Sequence, residues 1–256
     1  MNGVILCEGF DDVYFLGYLL HKYSPSEPRW TYDAKCRGKI SAMYSFRPLG
    51  QNETREIYRR GSDKLAIWGV GGKDRFEGAL DDIHKINVNY PGERLENIVI
   101  VSDRDQNGID EVLRRFEDRL QVLGWNIRLN NNIKNKITYA VEEENYDICI
   151  CPIIIPFDES GALETVLMNA ISSDAQEDAY VVKEAKQYVS KVHMSGKAPK
   201  YLQHARERLK AEFSSVISIM NPDRSTKRFN ELLMSLDWEK SEYITSRFKL
   251  LLEIFA

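Results

Sequence analysis

A chain of 256 residues is long enough for one large domain or two small ones. Its 43% hydrophobic and 29% charged residues are those of a soluble globular protein, and no apolar stretch approaches the roughly 20 residues of a membrane span. The net charge of −4 does not predict a general nucleic-acid binder, so any such partner must be met by a local basic patch. The apolar start at Val4 is too short for a signal peptide, which makes a cytoplasmic protein the expectation. Cys7, Cys36, Cys149 and Cys151 match no zinc spacing, and the last two fall on one face of an expected strand as small buried hydrophobes. The four histidines, His21, His84, His193 and His204, are scattered and none has a partner at ligand spacing.

Val4-Ile5-Leu6-Cys7 is apolar without alternation, the pattern of a strand buried on both faces in a parallel sheet. Glu8-Gly9 follows at once. A helix is predicted from Asp11 to about Lys22, with Val13, Leu16, Leu19 and Leu20 at helical spacing and Asp11 and Asp12 in its first turn. A second strand covers residues 65–70 and ends in Gly71-Gly72; a helix then runs from about Asp74 to Ile86, with Phe76, Leu80 and Ile83 on one face. The third strand, 98–102, runs directly into Asp103-Arg104-Asp105. Beyond it Ile109, Val112, Leu113, Phe116, Leu120 and Leu123 make a stripe that stops at Gly124, a good C-terminal cap. This β-α-β-α-β-α order implies an α/β fold with a parallel sheet and right-handed crossovers.

Trp125 to Leu129 and Ile137 to Val141 are candidate strands around the turn Asn130-Asn131-Asn132. Residues 148–155 read as a strand in which Pro152 hints at an edge or a bulge. From Gly161 onward the pattern is helical, with helices expected at about 161–171, 179–191, 200–219, 226–235 and 241–255. The expected organisation is an α/β domain over residues 1–175 and a helical C-terminal extension over 176–256.

Residues 24–62 interrupt the α/β pattern and are too long for an ordinary connection. Arg29, Lys35, Arg37, Lys39, Arg47, Arg55, Arg59 and Arg60 outnumber Glu27, Asp33, Glu53 and Glu56, and Trp30, Tyr32, Tyr44, Phe46 and Tyr58 are interleaved with them. Two readings stand side by side. Cations for phosphates and rings for bases suit a single-stranded nucleic-acid surface; a small hairpin with its aromatics packed on the domain and its arginines in water has the same composition.

The acidic residues carry the functional reading. Ligands of parallel sheets bind beyond the carboxyl ends of the strands. If the strands before Glu8 and Asp103 are neighbours, Glu8, Asp103 and Asp105 converge there, and in an extended segment Asp103 and Asp105 point to the same side. Three carboxylates that close repel unless a proton or a divalent cation lies among them, and Mg²⁺ for phosphate chemistry is the natural occupant.

Glu-Gly after one strand and Asp-x-Asp after a later one resemble the Toprim domain, the metal-binding module of topoisomerases, bacterial primases, the OLD (overcoming lysogenization defect) nucleases and small stand-alone relatives. Glu8-Gly9 matches the first element, Asp103 and Asp105 the second, and Gly71-Gly72 lies where many Toprim sequences have a glycine; the resemblance covers roughly residues 1–170. Residues 156–164, with Gly161-Ala162-Leu163-Glu164, resemble a Gly-x-Leu-Glu segment of a stand-alone Toprim family without established function. The resemblance implies a Rossmann-like sheet flanked by helices, with Asp103 and Asp105 holding Mg²⁺ (or Mn²⁺) and Glu8 as a ligand or general acid/base. It implies a further carboxylate from Glu164, or failing that Glu159 or Asp158, for a second metal, and substrate phosphate near Gly9, Gly72 and Lys73.

The implied activity is metal-dependent phosphodiester chemistry on DNA or RNA, as a nuclease. Two alternatives remain: a non-catalytic Toprim module that binds nucleic acid or a partner, and a Rossmann-like nucleotide phosphatase sharing only the acidic edge. No tyrosine or winged-helix domain suits strand cleavage by a topoisomerase, and no zinc module precedes the region as in primases. Gly69-Val70-Gly71-Gly72-Lys73 is misspaced for both the phosphate-binding loop of ATPases and the dinucleotide fingerprint. An ATPase partner would have to be a separate chain. Oligomerisation is left open.

Overall fold

Among the described residues seven strands form one sheet: β1 (Asn2–Cys7), β2 (Thr31–Tyr32), β3 (Thr54–Arg60), β4 (Asp63–Gly69), β5 (Asn97–Asp103), β6 (Asn135–Val141) and β7 (Glu144–Ile155), in the order β2-β3-β4-β1-β5-β7-β6. The structure is a computed structural model that describes residues 1–22, 28–33, 48–141, 144–224, 229–233 and 236–255. β1 pairs in parallel with β4 on one side and β5 on the other, with Leu6 opposite both Trp68 and Ile100. These are the unbroken apolar runs of the sequence, and Val4 to Cys7 and Ile98 to Val101 are all buried, which is why they show no alternation.

The chain divides into two compact units, the first made of residues 1–102, 107–154 and 250–256 and the second of residues 103–106 and 155–249. The division therefore falls at the end of β7, not at the 175/176 boundary the helical pattern suggested. In the first unit α1 (Phe10–Lys22), α2 (Phe76–Asn89) and α3 (Ile109–Val122) accompany the sheet. Leu6, Trp68, Phe76, Leu80, Ile83, Ile100, Phe116, Leu120 and Trp125 belong to one core cluster. The result is a mixed α/β, Rossmann-like fold with a parallel centre and antiparallel margins, as the element order implied.

Residues 54–60 are not part of an insertion outside the sheet. They form β3, antiparallel to β4, and Ile57 and Tyr58 are buried. Among the described residues of this region Trp30 and Tyr58 are buried, as a packed hairpin requires, whereas Arg55, Arg59 and Arg60 make contacts within the unit that neither reading anticipated. Trp30 is buried and its indole N–H donates to the Phe255 carbonyl at 2.7 Å; the Arg60 guanidinium lies 4.7 Å from the Trp30 ring and donates to the same carbonyl. Arg55 lies 4.1 Å above the Trp68 ring, and Arg59 pairs with Asp33. Glu27, Lys35, Arg37, Lys39, Tyr44, Phe46 and Arg47 lie outside the described residues.

Trp125 to Leu129 is likewise not a strand. Trp125 N–H donates to the Leu120 carbonyl at the end of α3, and Leu129 N–H to the Glu117 carboxylate at 2.7 Å, so both ends of the segment are tied to the helix that precedes it. β6 and β7 pair as an antiparallel hairpin.

The second unit contains α4 (Leu163–Asp174), α5 (Gln176–Met194), α6 (Ala205–Met220), α7 (Phe229–Leu233) and α8 (Glu242–Arg247). The helix expected at 200–219 starts later, because Leu202 takes a left-handed conformation (φ 57°). The one expected at 241–255 is two short helices, α8 and α9 (Lys249–Ile254), divided at Phe248. Among the described residues no helix is long and apolar enough to cross a membrane.

Candidate functional site

Parallel pairing places the ends of β1, β4 and β5 together in the first unit, and Glu8 is the first residue past β1. Its carbonyl accepts N–H bonds from Gly71 at 2.9 Å and Gly72 at 3.0 Å. Both glycines have positive φ (86° and 133°), so the chain after β4 wraps around this one carbonyl in a turn that side chains with a Cβ rarely adopt. The wrap delivers Lys73, whose ammonium lies 3.6 Å from the Glu8 carboxylate. Ser102, near the end of β5, donates its hydroxyl to the same Glu8 oxygen at 3.1 Å. A carboxylate is thereby fixed by a hydroxyl from one neighbouring strand and a cation that follows the other.

Gly9 and Gly72 are placed differently from what a phosphate cradle needs. Gly9 N–H donates to the Asp12 carboxylate at 2.8 Å, and Gly72 N–H is the one held by Glu8. Of the three residues expected near phosphate, Lys73 is the one with its cationic group at the Glu8 carboxylate. Close approach also explains Gly69, since a Cβ there would lie 2.9 Å from the Gly9 carbonyl oxygen.

In the second unit Asp103 ends β5 and Arg104 N–H donates to the Ile155 carbonyl at 2.6 Å. Asp105 does not continue the strand. It has φ 52° and exchanges two backbone hydrogen bonds with Gly161, at 2.9 and 2.7 Å. The same-side argument for Asp103 and Asp105, which needs an extended backbone through both, therefore does not apply. Aspartate tolerates the left-handed region better than most residues. Gly161 is required here, with φ 147° and a Cβ position only 2.2 Å from the Thr165 hydroxyl.

Glu164, in the first turn of α4, is buried and paired with the Lys210 ammonium of α6 at 3.5 Å. Asp158 pairs with Arg247, and Glu159 accepts from the Asn169 amide at 2.7 Å. Among the described residues no group of three or more His, Cys, Asp or Glu side chains is arranged to hold a metal ion. The donor set at Asp103 and Asp105 is nonetheless all hard oxygen, and Mg²⁺ commonly takes only one or two protein carboxylates beside water and substrate phosphate.

Ser102 and Lys210 were not singled out by the sequence. Ser102 had a faint signal as the one hydroxyl closing an apolar run; Lys210 had none, because its partner is remote in sequence.

The fold and these residues define a mixed α/β protein with carboxylates following two adjacent parallel strands. The chain belongs to the family described as protein of unknown function DUF3226, whose model matches residues 2–253. No curated protein matches it. It is similar in fold to a hypothetical protein of Pyrococcus horikoshii OT3, with 15% sequence identity, a TM-score of 0.51, and coverage of 98% of this chain and 99% of that one.

Proposed function

We propose that the protein is a metal-dependent phosphodiester-cleaving enzyme acting on DNA or RNA, through Glu8, Asp103 and Asp105. The observation that supports this most is the Glu8 carboxylate, held by the Ser102 hydroxyl with the Lys73 ammonium 3.6 Å away, beside the strand that runs into Asp103. Asp103 and Asp105 are the residues to hold Mg²⁺ or Mn²⁺. Such a cation, when bound, offsets charge on phosphate oxygens and makes water more acidic.

Glu8 then acts as the general acid/base. The Ser102 hydroxyl keeps one of its oxygens oriented, which is what a proton carrier needs at a reacting phosphate. Lys73 balances the Glu8 charge without substrate, and its ammonium lies where a phosphate beside Glu8 would meet it. Glu164 is the conditional member: a second cation there has to displace Lys210. The resemblance of Glu8-Gly9 and Asp103-Arg104-Asp105 to Toprim sequences supports the same reading.

The test is cleavage of labelled single- and double-stranded DNA and RNA with Mg²⁺ or Mn²⁺, for the wild type and Glu8→Gln. Metal-dependent cutting that drops by about a hundredfold or more in the variant is expected for loss of an acid/base group. Absence of cutting on every polymer with both metals overturns the proposal in favour of a binding module. Turnover of free nucleotides alone overturns it in favour of a phosphatase.

A further inference from the structure

β7 ends at Ile155 and α4 begins at Leu163, and the segment between them belongs to no helix or strand. Asp158, Glu159 and Ser160 are exposed, and among the described residues none of residues 157–160 makes a backbone–backbone hydrogen bond. The segment nonetheless leads into Gly161, whose backbone exchanges two hydrogen bonds with Asp105. An aspartate at φ 52° persists where its surroundings over-determine it. Whatever fixes residues 157–160 therefore bears on where Asp105 stands.

Side chains fix them. The guanidinium of Arg247, the last residue of α8, pairs with Asp158 and lies 5.6 Å from the ring centres of both Phe157 and Tyr243. Phe248, the next residue, is fully buried and meets the Phe157 ring edge-on at 5.9 Å. The Asn169 amide of α4 donates to Glu159 at 2.7 Å and to the Tyr243 hydroxyl at 3.4 Å. Residues 157, 158 and 159 are each tied to α8, to Phe248 or to α4, and Arg247 holds two of the three. A guanidinium suits this place, because its plane covers rings while its fork meets a carboxylate. Asp105 and all of these residues lie in the second unit.

We propose that Arg247 is a positioning residue for Asp105: by holding Phe157 and Asp158 it places Gly161, and through Gly161 the turn that carries the Asp105 carboxylate. The helical unit thereby braces one of the two aspartates that follow β5. The inference rests on the metal reading above and adds to it a residue that acts through the backbone.

The sign of the effect separates this role from two others. Removing a positive charge near a divalent cation tightens its binding by electrostatics alone. Releasing Asp158 to serve as a further ligand tightens it too. A brace predicts the reverse.

The experiment combines Mn²⁺ titration by EPR with amide hydrogen exchange by NMR on the metal-free full chain. Arg247→Met should weaken Mn²⁺ binding about tenfold, the low end of what is lost when a group that orients metal ligands is removed. In the metal-free protein, exchange at the Asp105 and Gly161 amides should rise at least about fivefold, while the amides of β1 and β4 keep their rates. Asp158→Asn should weaken Mn²⁺ as much, and the double variant no more than either single change, because both cut the same tie. Arg247→Lys, which keeps the charge but loses the planar fork, should fall between. Tm should drop by no more than about 4 °C in each, as for an exposed ion pair.

Mn²⁺ affinity in Arg247→Met equal to or above that of the wild type overturns the inference, and so does unchanged exchange at Asp105 and Gly161. Faster exchange throughout the chain with a larger fall in Tm overturns it as well, since Arg247 would then hold the fold and not the turn. If the wild type binds no Mn²⁺ yet exchange at the two amides still rises in the variant, the metal reading falls and the brace stands.

Discussion

Gly17 sits inside α1, where replacement by alanine ordinarily stabilises a helix by about 1 kcal/mol. Here the opposite is expected. A Cβ on Gly17 would lie 2.1 Å from the Tyr58 hydroxyl oxygen and 3.0 Å from the ring carbon that bears it. Tyr58 is buried on β3 and donates that hydroxyl to the Glu56 carboxylate at 2.8 Å, so it has no cheap way to withdraw. Forcing an extra methyl into such packing costs roughly 1–3 kcal/mol, and breaking a hydrogen bond to a charged group adds about 1.5–3 kcal/mol if the ring is pushed aside. Against the propensity gain, Gly17→Ala should destabilise by up to about 2 kcal/mol if the Tyr58 bond survives and by about 1.5–5 kcal/mol if it breaks.

Tyr58→Phe removes the oxygen at 2.1 Å and leaves the ring carbon at 3.0 Å, a contact that a shift of a few tenths of an ångström relieves. Gly17→Ala should therefore cost less in the Tyr58→Phe background than in the wild type, a coupling that a double-mutant cycle in urea reads directly. If Gly17→Ala stabilises the protein, or the two changes are additive, β3 does not lie under α1 and residues 54–60 return to being an insertion.

Four further outcomes follow from buried groups. Burial pushes the Cys151 thiol up to about 12 and raises Cys149 as well, so iodoacetamide at pH 8 should leave both unmodified until urea is added. Because the folded value lies above the ordinary 9.0, the contribution of Cys151 to stability is intact below pH 9 and declines as pH rises towards 12, which alkaline denaturation of the wild type and Cys151→Ala would register as a difference in slope. Burial also raises the Glu212 carboxyl, partly countered by Lys186 and Arg208; its contribution to stability is therefore greatest at low pH and lost as pH rises through its folded value, so Glu212→Gln should raise Tm at pH 7 but not at pH 4. Lys210→Met removes the cation beside buried Glu164, and since the Lys210 side chain is 43% exposed the loss should be about 1 kcal/mol by urea denaturation, well short of that for a fully buried pair.

The centre of the sheet was legible because burial on both faces leaves an unmistakable pattern, and residues 4–7, 65–70 and 98–101 have it. β3 was not, because Arg55, Arg59 and Arg60 break its alternation. Their charges are accommodated by Trp68, Asp33 and Trp30, contacts that exist only once the sheet has formed. Trp125 to Leu129 misled in the other direction: the residues suit a strand, yet their N–H groups find partners on α3.

The strand ends were legible: Glu8 directly follows β1 and Asp103 closes β5. The left-handed turn at Asp105 was hidden, since an aspartate after a strand reads the same in either backbone region. The engagement of Gly9 and Gly72 N–H groups within the chain was hidden for a related reason: a glycine pair announces a turn but not which carbonyl it wraps. Glu164 was visible as a first-turn carboxylate, while its neutralisation by Lys210 depends on the packing of α4 against α6.

The claim on which the functional account stands is that the carboxylates after β5 bind a divalent cation, and this is measurable without knowing the substrate. Titration of the protein with Mn²⁺, followed by loss of the free-ion EPR signal, should show saturable binding that Mg²⁺ competes away. Asp103→Asn with Asp105→Asn should abolish it. Saturable Mn²⁺ binding that persists in the aspartate double variant, or no binding by the wild type at millimolar Mn²⁺ with or without an oligonucleotide, would contradict the account.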